Sequence, residues 1–419
     1  MPTEPLPHDV VLFSTADWDY PFWTNKQHVA SQLAERGFRV LYVESLGLRR
    51  PTAKSRDLAR IASRLKRAWQ PLRQVKENLW VASPLAIPWH GSAAARYLNS
   101  RWLEHLINRQ CRRLGFENPI IWTYNPLVGR SVAKFGGSLL VYHCVDDLSA
   151  APQMPVEAIR AAERELARDA DVVFTTSSTL QARLAPWNAA THLLPNVADY
   201  GHFSQAREAG PIPADLASIP QPRIGFVGAV SEYKVDFELI AAVAKARPDW
   251  HWVLIGQVGE GQPGTTIDAL ALPNIHLLGA RDYHQLPQYL RGFDVATIPA
   301  RRNPYTASMF PMKFFEYLAA GLPVVATQLP ALAEFSKACD LAGSEVLFTA
   351  AIDRVLSGTR PDREYCLQLA RRYTWQWRTQ EMLGILERVW EARQLRHQPA
   401  SMPHLRAHAS SADQAARRG

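Results

Sequence analysis

Cysteine is scarce in this sequence, and the cysteines that are present follow no metal-binding or disulfide pattern. They stand far apart along the chain, at Cys111, Cys144, Cys339 and Cys366. A zinc module or a small disulfide scaffold needs closely spaced cysteines, so the sequence excludes both classes. We therefore expect four reduced thiols.

Long apolar runs are missing as well. No stretch approaches the ~18–20 apolar residues that a transmembrane helix requires. The opening segment MPTEPLPHDV lacks the basic and apolar regions of a secretory signal, so we expect a cytoplasmic protein. The remaining composition is that of an ordinary globular protein, with 47% hydrophobic and 21% charged residues. A chain of 419 residues favours two domains over one.

Positive charge is concentrated in one segment, 49–76. It contains ten Lys or Arg and a single acid, Asp57, whereas the whole chain carries a net charge of +8. The body of the protein is thus nearly neutral, which argues against nucleic acid as a partner and favours a local anionic surface. Leu, Ile and Trp residues recur at helical spacing within 56–74, which predicts an amphipathic helix at the inner membrane surface. The alternative is a surface helix whose charges are only solvated.

The order of apolar runs and amphipathic segments predicts an α/β fold with two doubly wound, Rossmann-like domains that face each other across a cleft. Short β-rich runs alternate with helical patterns in both halves of the chain. The predicted boundaries are an N-terminal domain over 1–203, a Pro- and Ala-rich linker over 204–222, a C-terminal domain over 223–372, a C-terminal helix over 373–396 and a disordered tail over 397–419. Ligands of such folds bind beyond the carboxyl ends of the strands.

The loop after the first predicted strand lacks the glycines of a dinucleotide-binding turn. It reads STADWDYPFW, where a Rossmann NAD site would have G-x-G-x-x-G, so a nicotinamide enzyme is disfavoured. Its Asp17, Trp18, Asp19 and Trp23 suit an acceptor pocket, since aromatic rings stack on sugars and carboxylates bind hydroxyls. Ordinary loop packing explains the same residues equally well.

The segment HCVDD follows another predicted strand directly. His143, Asp146 and Asp147 are candidates for a general base or for binding substrate hydroxyls. Sequence alone leaves open which of the three acts.

Two lysines in the second half stand where anions bind. Lys234 follows the strand RIGFVG and precedes a helix, and Lys313 lies in the first turn of the helix in FPMKFFEYLAAGLPVV. A cation is unfavourable at a helix N-terminus unless an anion binds there, and a diphosphate is such an anion. Glu316, one turn further on, is suited to the hydroxyls of a ribose. The alternative for this helix is an exposed Lys–Glu pair worth a few tenths of a kcal/mol.

These residues resemble a known family. FPMKFFEYLAAGLPVVAT is similar to the C-domain signature of GT-B glycosyltransferases of family 4, in particular their exopolysaccharide and teichuronic-acid relatives. GAVSEYK, LLPNVAD, WTNKQHVASQLAERGFRVLYVE and TWQWR are similar to further segments of that family.

The resemblance implies specific roles. Glu316 would bind the ribose, Lys234 and Lys313 would contact the diphosphate or sugar, and one of His143, Asp146 and Asp147 would serve catalysis. The full donor-binding set that it implies is Gly228, Lys234, Ser308, Met312, Lys313 and Glu316. Two departures are notable, because Ser308 replaces the first Glu of the family's two-glutamate motif and Ala229 stands where Arg is common.

The sequence thus predicts a transferase that moves a sugar from a nucleoside diphosphate, UDP in our expectation, to a glycan or lipid-linked acceptor in cell-surface polysaccharide synthesis. It predicts no cofactor and no metal, because lysines and helix amides can stabilise the leaving diphosphate. Two alternatives are a nucleotide-sugar epimerase of the same fold and a non-catalytic nucleotide-sugar-binding subunit, for which Ser308 is the motive.

Overall fold

The described part of the chain forms two separate β-sheets. The computed structural model describes residues 4–20, 23–45, 72–84, 93–132, 135–262 and 264–397. The strands of the first sheet are β1 (Asp9–Phe13), β2 (Arg39–Val43), β3 (Arg73–Lys76), β4 (Leu79–Ala82), β5 (Ile120–Thr123), β6 (Leu140–Cys144), β7 (Val172–Thr175) and β8 (Thr191–Leu193). The strands of the second sheet are β9 (Arg223–Val227), β10 (His251–Ile255), β11 (Ile275–Gly279), β12 (Val295–Ile298), β13 (Val324–Thr327) and β14 (Asp340–Ala342).

Both sheets have the strand order of doubly wound domains. The first runs β3-β4-β2-β1-β5-β6-β7-β8 and the second β11-β10-β9-β12-β13-β14. Every pairing is parallel except that of β3 with β4. Helices cover both faces of parallel sheets, which explains why strands such as β1 and β9 are buried along their whole length. Buried apolar clusters accordingly lie on either side of each sheet.

Helices alternate with the strands along the chain. They are α1 (Asn25–Glu35), α2 (Ala93–Leu114), α3 (Gly129–Val132), α4 (Val156–Asp169), α5 (Ser178–Leu184), α6 (Tyr200–Ser204), α7 (Ala214–Ala217), α8 (Phe237–Ala246), α9 (Leu286–Leu290), α10 (Pro304–Ser308), α11 (Lys313–Ala320), α12 (Glu345–Leu356), α13 (Arg363–Arg372) and α14 (Trp375–His397). The helix of the FPMKFF segment, α11, ends as the sequence predicts, because Gly321 adopts a left-handed conformation with φ 77°. None of the helices in the described part of the chain combines the length and the apolar character that a membrane crossing requires.

Most of the basic segment lies outside the described residues, and its described end is a strand. Arg73–Lys76 pairs antiparallel with β4, so the amphipathic helix predicted over 56–74 is wrong at its last two residues. Arg73 is held in place by Asp19, whose Oδ2 lies 2.6 Å from Arg73 Nη2. The residues predicted as a disordered tail also lie outside the described part from 398 onward.

The chain leaves the second sheet through a long helix that covers the first. The α14 residues Met382, Leu383, Ile385 and Leu386 are buried in the same apolar cluster as strands β1 and β5. Trp375, at the start of α14, stacks on His28 of α1 with ring centroids 4.6 Å apart. Helices α1 and α14, from opposite ends of the chain, therefore pack together on the N-terminal sheet.

Glycines allow the carboxyl ends of β9 and β10 to approach closely. The Gly228 N–H donates to the Ile255 carbonyl at 2.9 Å. A Cβ placed on Gly256 would lie 1.7 Å from the Gly228 oxygen, so no other residue fits there without a shift of the backbone. This contact fixes the start of the loop that leads to Lys234.

Candidate functional site

The two domains meet at the carboxyl ends of their strands, where the sequence places the site. Side chains of the N-terminal domain donate hydrogen bonds to backbone carbonyls just before α11. Ser177 Oγ donates to the Ser308 carbonyl at 2.6 Å, and Asn196 Nδ2 donates to the Phe310 carbonyl at 2.7 Å. The start of α11 is thereby anchored to the opposite domain.

One cluster of charged groups joins the domains around Asp146. Lys26 of α1 and Lys234 of the second domain both act electrostatically on the Asp146 carboxylate, and Tyr305 of α10 hydrogen bonds to it. Burial nevertheless raises the pKa of Asp146 above its usual value, because these partners do not compensate fully for the loss of water. Lys26 is only 7% exposed, and burial, together with the charge of Lys234, lowers its pKa.

The loop between β9 and α8 holds Lys234 in this cluster through backbone bonds. The Lys234 carbonyl accepts from Arg301 N–H at 3.0 Å, and the Tyr233 carbonyl accepts from Asn303 Nδ2 at 2.6 Å. The Lys234 ammonium lies 5.4 Å from the ring centroid of Tyr233 and 5.9 Å from that of Tyr305. Burial opposes its charge, yet the nearby Tyr233, Glu260 and Asp146 raise its pKa on balance. Lys234 is thus a fixed cation rather than a solvated surface lysine.

The structure separates the three candidates of the HCVDD segment. Asp147 is engaged elsewhere: its Oδ2 lies 2.9 Å from Arg183 Nη1, and its Oδ1 accepts from the Ser149 hydroxyl at 2.6 Å. Burial alone would raise its pKa, but the Ser149 hydrogen bond and the Arg183 charge outweigh burial and lower it. Among these candidates only Asp146 reaches the cluster of lysines from both domains.

His143 corrects the expectation of a histidine base at the strand edge. It belongs to β6 and is 0% exposed, with its ring between those of Tyr124 and Phe174 at 4.7 Å and 5.9 Å. Burial lowers its pKa far below the usual range, and the positive charges of Arg378 and Lys26 add to this effect. A side chain in this position has no direct access to a substrate in the cleft.

A second cluster surrounds the pair formed by Lys313 and Glu316. Lys313 Nζ lies 2.7 Å from Glu316 Oε2, and the Glu316 side chain is only 4% exposed. The pair is therefore buried, unlike the exposed surface pair that the sequence left open. The charges of the pair also act on two histidines. Burial lowers the pKa of His28, and the charge of Lys313 lowers it further. Burial lowers the pKa of His202 as well, and the charge of Glu316 opposes this change.

His202 and Tyr283 form an aromatic wall beside this pair. Their rings stack with centroids 4.3 Å apart, and His202 Nε2 lies 2.8 Å from the Tyr283 carbonyl oxygen. Glu316 contributes to the raised pKa of Tyr283, after burial. Neither residue belongs to a motif that we recognised in the sequence.

The first turn of α1 connects the two clusters. Lys26 faces Asp146 and Lys234, and His28 lies near Lys313, two residues further along the same helix. Three lysines and two carboxylates from both domains are thus collected around the start of α1. Such an arrangement can neutralise a dianionic group and still offer a carboxylate to a hydroxyl.

Met312 and Ser308, also predicted to bind the donor, make packing and hydrogen-bond contacts within the protein. Met312 is partly buried against the apolar cluster of the N-terminal domain. Ser308 is 2% exposed, and its hydroxyl donates to the Tyr305 carbonyl at 2.9 Å within α10. Ser308 therefore stabilises its own helix and, through its carbonyl, the contact with Ser177.

The predicted acceptor residues are only partly available. Trp18 is 7% exposed and packs against Tyr42 edge to face and against Trp23 at a tilt, and its contact with an acceptor stays a prediction. Its backbone N–H donates to Glu44 Oε1 at 2.9 Å, which fixes the loop. Asp17 and Trp23 are half-buried and stay candidates for an acceptor surface.

We expect the buried His28 to make stability depend on pH. Burial, followed by the charges of Lys313, Lys76 and His202, lowers its pKa from 6.5 to about 3. Between these values the unfolded chain binds a proton that the folded protein does not, so stability falls as pH decreases from 7 towards 3. At pH 5 this histidine alone accounts for a loss of about 2 kcal/mol.

Urea denaturation at pH 7 and pH 5 tests this expectation. In His28→Phe, which keeps a ring against Trp375, the difference between the two pH values should shrink by that amount. His284→Phe is the matched control, because His284 is exposed and the full pH difference should persist. An unchanged pH difference in His28→Phe would contradict the assignment.

Comparisons with known proteins agree with this architecture. Residues 221–357 match the family model described as Glycosyl transferases group 1. Over 255 residues the chain is 29% identical to a Bacillus subtilis protein named as a teichuronic acid biosynthesis glycosyltransferase, TuaH. This match covers 56% of the chain and 64% of that relative, so it spans less than two thirds of the relative's length.

Solved structures show the same fold over nearly the whole chain. Sucrose-phosphate synthase from Thermosynechococcus elongatus superposes with a TM-score of 0.67 at 17% identity, covering 92% of this chain and 99% of that one. Anabaena HepE in complex with UDP and glucose gives 0.63 at 15% identity, covering 91% and 99%. The E. coli trehalose-6-phosphate protein bound with UDP-2-fluoro glucose gives 0.62 at 15% identity, covering 90% and 99%. The predicted GT-B fold and the resemblance to group 1 glycosyltransferases are confirmed.

Proposed function

We propose that this protein is a GT-B glycosyltransferase that transfers a sugar from a UDP-linked donor to a glycan or lipid-linked acceptor in cell-surface polysaccharide synthesis. The observation that carries the proposal is the meeting of Lys26, Lys234 and Asp146 between the two domains. Cations from both sides suit a diphosphate, and a carboxylate beside them suits an acceptor hydroxyl. The family match, the teichuronic-acid relative and the UDP named for two structural neighbours support this proposal.

In the proposed donor complex, the C-terminal domain binds the nucleotide. Glu316 holds the ribose, and its Oε2 already accepts from Lys313, so the ribose hydroxyls are bound through Oε1. Lys313 and Lys234 neutralise the diphosphate as the bond to the sugar breaks. No side chain caps the first turn of α11, and we assign the positive end of this helix to the same anion.

On the N-terminal side we assign acceptor activation to Asp146. Its carboxylate accepts a hydrogen bond from the attacking hydroxyl and takes the proton as the new glycosidic bond forms. Asp17 and Trp23 are proposed to contact the acceptor further out. Lys26 keeps Asp146 ionised when substrate excludes water from the cluster.

Metal independence belongs to the proposal as well. Three lysines placed around one cleft can supply the charge that a divalent cation supplies elsewhere. Within the described residues, no group of three or more His, Cys, Asp or Glu side chains is arranged to hold a metal ion. Transfer measured with excess EDTA tests the proposal directly: full activity supports it, and loss of activity restored by Mg²⁺ or Mn²⁺ contradicts it.

Incubation with a panel of nucleotide sugars, followed by nucleotide release and mass measurement of products, tests the function. An epimerase would give a changed donor sugar without an acceptor, and a binding subunit would give no release. We expect Glu316→Gln to weaken UDP binding by about 10-fold or more, because the ribose hydroxyls lose a charged acceptor. Glu334→Gln, a substitution elsewhere in the same domain, is the control. Unchanged UDP binding by Glu316→Gln, measured calorimetrically, would refute the ribose assignment.

We also propose peripheral binding to the inner face of the cell membrane. The basic segment supports it by composition, and α2 supports it by its surface. There Tyr97, Leu98 and Trp102 are exposed by 65%, 55% and 51%, on a helix that also carries several arginines. Aromatic and basic side chains together favour an anionic membrane interface.

Vesicle sedimentation distinguishes this surface from an ordinary one. We expect binding to vesicles containing phosphatidylserine at low salt, and weaker binding at high salt, because the attraction is screened. Replacing Arg64, Lys66 and Arg67 by Glu should abolish most of it, and Trp102→Ser should weaken it at both salt concentrations. Equal binding by these variants and the unmodified protein would contradict the proposal.

A further inference from the structure

Arg378 is a buried cation whose guanidinium lies 5.2 Å from the ring centroid of Trp377 but has no hydrogen-bond partner among the described residues. It belongs to the second turn of α14, is 1% exposed, and none of its three guanidinium nitrogens has a hydrogen-bond partner within the described residues. The half-buried guanidinium of Arg183, by contrast, has the carboxylates of Asp147 and Glu163 beside it. An arginine presents five N–H donors, so this one position leaves an unusual number unsatisfied.

Further polar groups on the same buried face of α14 are unsatisfied too. Thr379 is 0% exposed and its hydroxyl has no partner among the described residues, and the same holds for the indole N–H of Trp375. These groups offer hydrogens, so an acceptor-rich ligand fits them.

An unpaired buried charge is costly unless something compensates it. Isolating an ion from water costs several kcal/mol even after relaxation of the protein. Burial lowers the pKa of Arg378 to about 9, which still leaves the guanidinium charged at neutral pH. Tyr373 and Glu381 act against this lowering, but neither accepts a hydrogen bond from the Arg378 guanidinium among the described residues. The positive charge of Arg378 and its several N–H donors together favour an oxyanion as the ligand.

The position of Arg378 is close to the junction of the domains. Thr374, just before α14, pairs with Ala198, and Tyr373 stacks on Phe315 of α11 with centroids 4.6 Å apart. His28 stacks on Trp375 one turn from Arg378. The unsatisfied face therefore lies beside α1, on the N-terminal side of the cleft.

We propose that Arg378, with Thr379 and the indole N–H of Trp375, forms an oxyanion-binding site between α14 and the N-terminal sheet. Its ligand is a phosphate or carboxylate group, whose planar or tetrahedral oxygens match the guanidinium fork. Free phosphate and an acidic sugar both carry such a group. The site is independent of the donor diphosphate and does not require the transfer reaction.

Thermal unfolding with inorganic phosphate as the probe tests the site, with potassium chloride keeping the ionic strength constant. At ten times its dissociation constant, a ligand of the folded state should raise the Tm of the unmodified protein by about 2 °C. The same measurement with glucuronate, and with glucose as its neutral control, shows whether the site prefers the carboxylate of an acidic sugar or free phosphate. Arg378→Met should abolish the response, and Arg378→Lys should weaken the apparent affinity at least about 10-fold.

Two control variants locate the response. Arg388→Met removes an exposed arginine of the same helix, and Lys234→Met removes the cation of the proposed diphosphate site. Both should keep the full phosphate response if the oxyanion binds at Arg378. Loss of the response in Lys234→Met, or an equal response in all variants, would place the anion elsewhere and overturn the proposal. No response of the unmodified protein to phosphate or glucuronate would also overturn it, since Arg378 would then be satisfied by internal water. If Arg378→Met fails to fold, the comparison rests on Arg378→Lys.

Discussion

Asp146→Asn is expected to lower the rate of sugar transfer by a factor of about 10² to 10⁴. Asparagine has nearly the same shape as aspartate, but it carries no charge and cannot take a proton. Asp146 is the carboxylate on which Lys26, Lys234 and Tyr305 converge, so the substitution removes the group assigned to take the proton. The affinity for UDP should change far less than the rate, because the C-terminal domain binds the nucleotide.

The pH dependence of the rate gives an independent signature of the same residue. Burial raises the pKa of Asp146, and a base acts only in its ionised form, so activity should increase with pH as Asp146 loses its proton. Tyr305→Phe removes a hydrogen bond that favours the ionised form, which should move this rise to higher pH. A merely structural role of Tyr305 would leave the midpoint unchanged.

The neighbouring Asp147 provides the matched control. Asp147→Asn breaks the ion pair with Arg183, so it should lower the free energy of unfolding and leave the kcat of the folded enzyme nearly intact. Steady-state transfer rates together with urea denaturation separate the two effects. The assignment fails if Asp146→Asn keeps more than about a tenth of the activity, or if Asp147→Asn loses as much without loss of stability.

The fold follows from the sequence because parallel strands leave a strong pattern. Continuous apolar runs such as Asp9–Phe13 and Arg223–Val227 are buried on both faces, and the helix ends at Gly37 and Gly321 require left-handed backbone. The strand β3 escaped prediction because Arg73–Lys76 alternates polar and apolar residues within a basic segment that also has helical spacing. The pairing with β4 selects the strand over the helix, and sequence periodicity does not reveal this pairing because it is a tertiary contact.

The site was harder to predict, because burial and partners decide which polar residue is free. His143, Asp146 and Asp147 are equivalent as letters, and only the sheet reveals that His143 points into the core and that Asp147 binds Arg183. The surroundings of Trp18 are likewise set by tertiary contacts, since Glu44 and Tyr42 hold its loop against the core.

Lys26 is the residue that sequence reasoning missed although a signal was present. Like Lys313, it is a cation in the first turn of a helix that follows a strand of a parallel sheet, where the helix dipole disfavours positive charge. The reason that singles out Lys313 in the sequence applies equally to Lys26, and the two lysines place a cation on each side of the cleft.

Lys234→Met is expected to lower kcat/KM by a factor of about 10² to 10³, the loss typical of removing one preorganised group that stabilises developing charge. The side chains have similar length, so the substitution removes the ammonium and little packing. Because Lys234 is assigned to the diphosphate, affinity for UDP should fall much more than affinity for uridine. Lys245→Met removes an exposed lysine of α8 and should change neither affinity.

The loss should appear in kcat more than in the affinity for the intact donor. Negative charge on the diphosphate increases as the bond to the sugar breaks, so a fixed cation stabilises the transition state more than the bound donor. Lys234→Arg keeps the charge but not its position between Tyr233 and Tyr305, and should restore UDP binding more fully than turnover. Calorimetric titration with UDP and uridine, alongside transfer kinetics, measures each quantity separately. Equal losses for UDP and uridine would show that Lys234 supports the fold of the loop rather than the charge of the leaving group, because a structural defect weakens binding of the base and the phosphates alike.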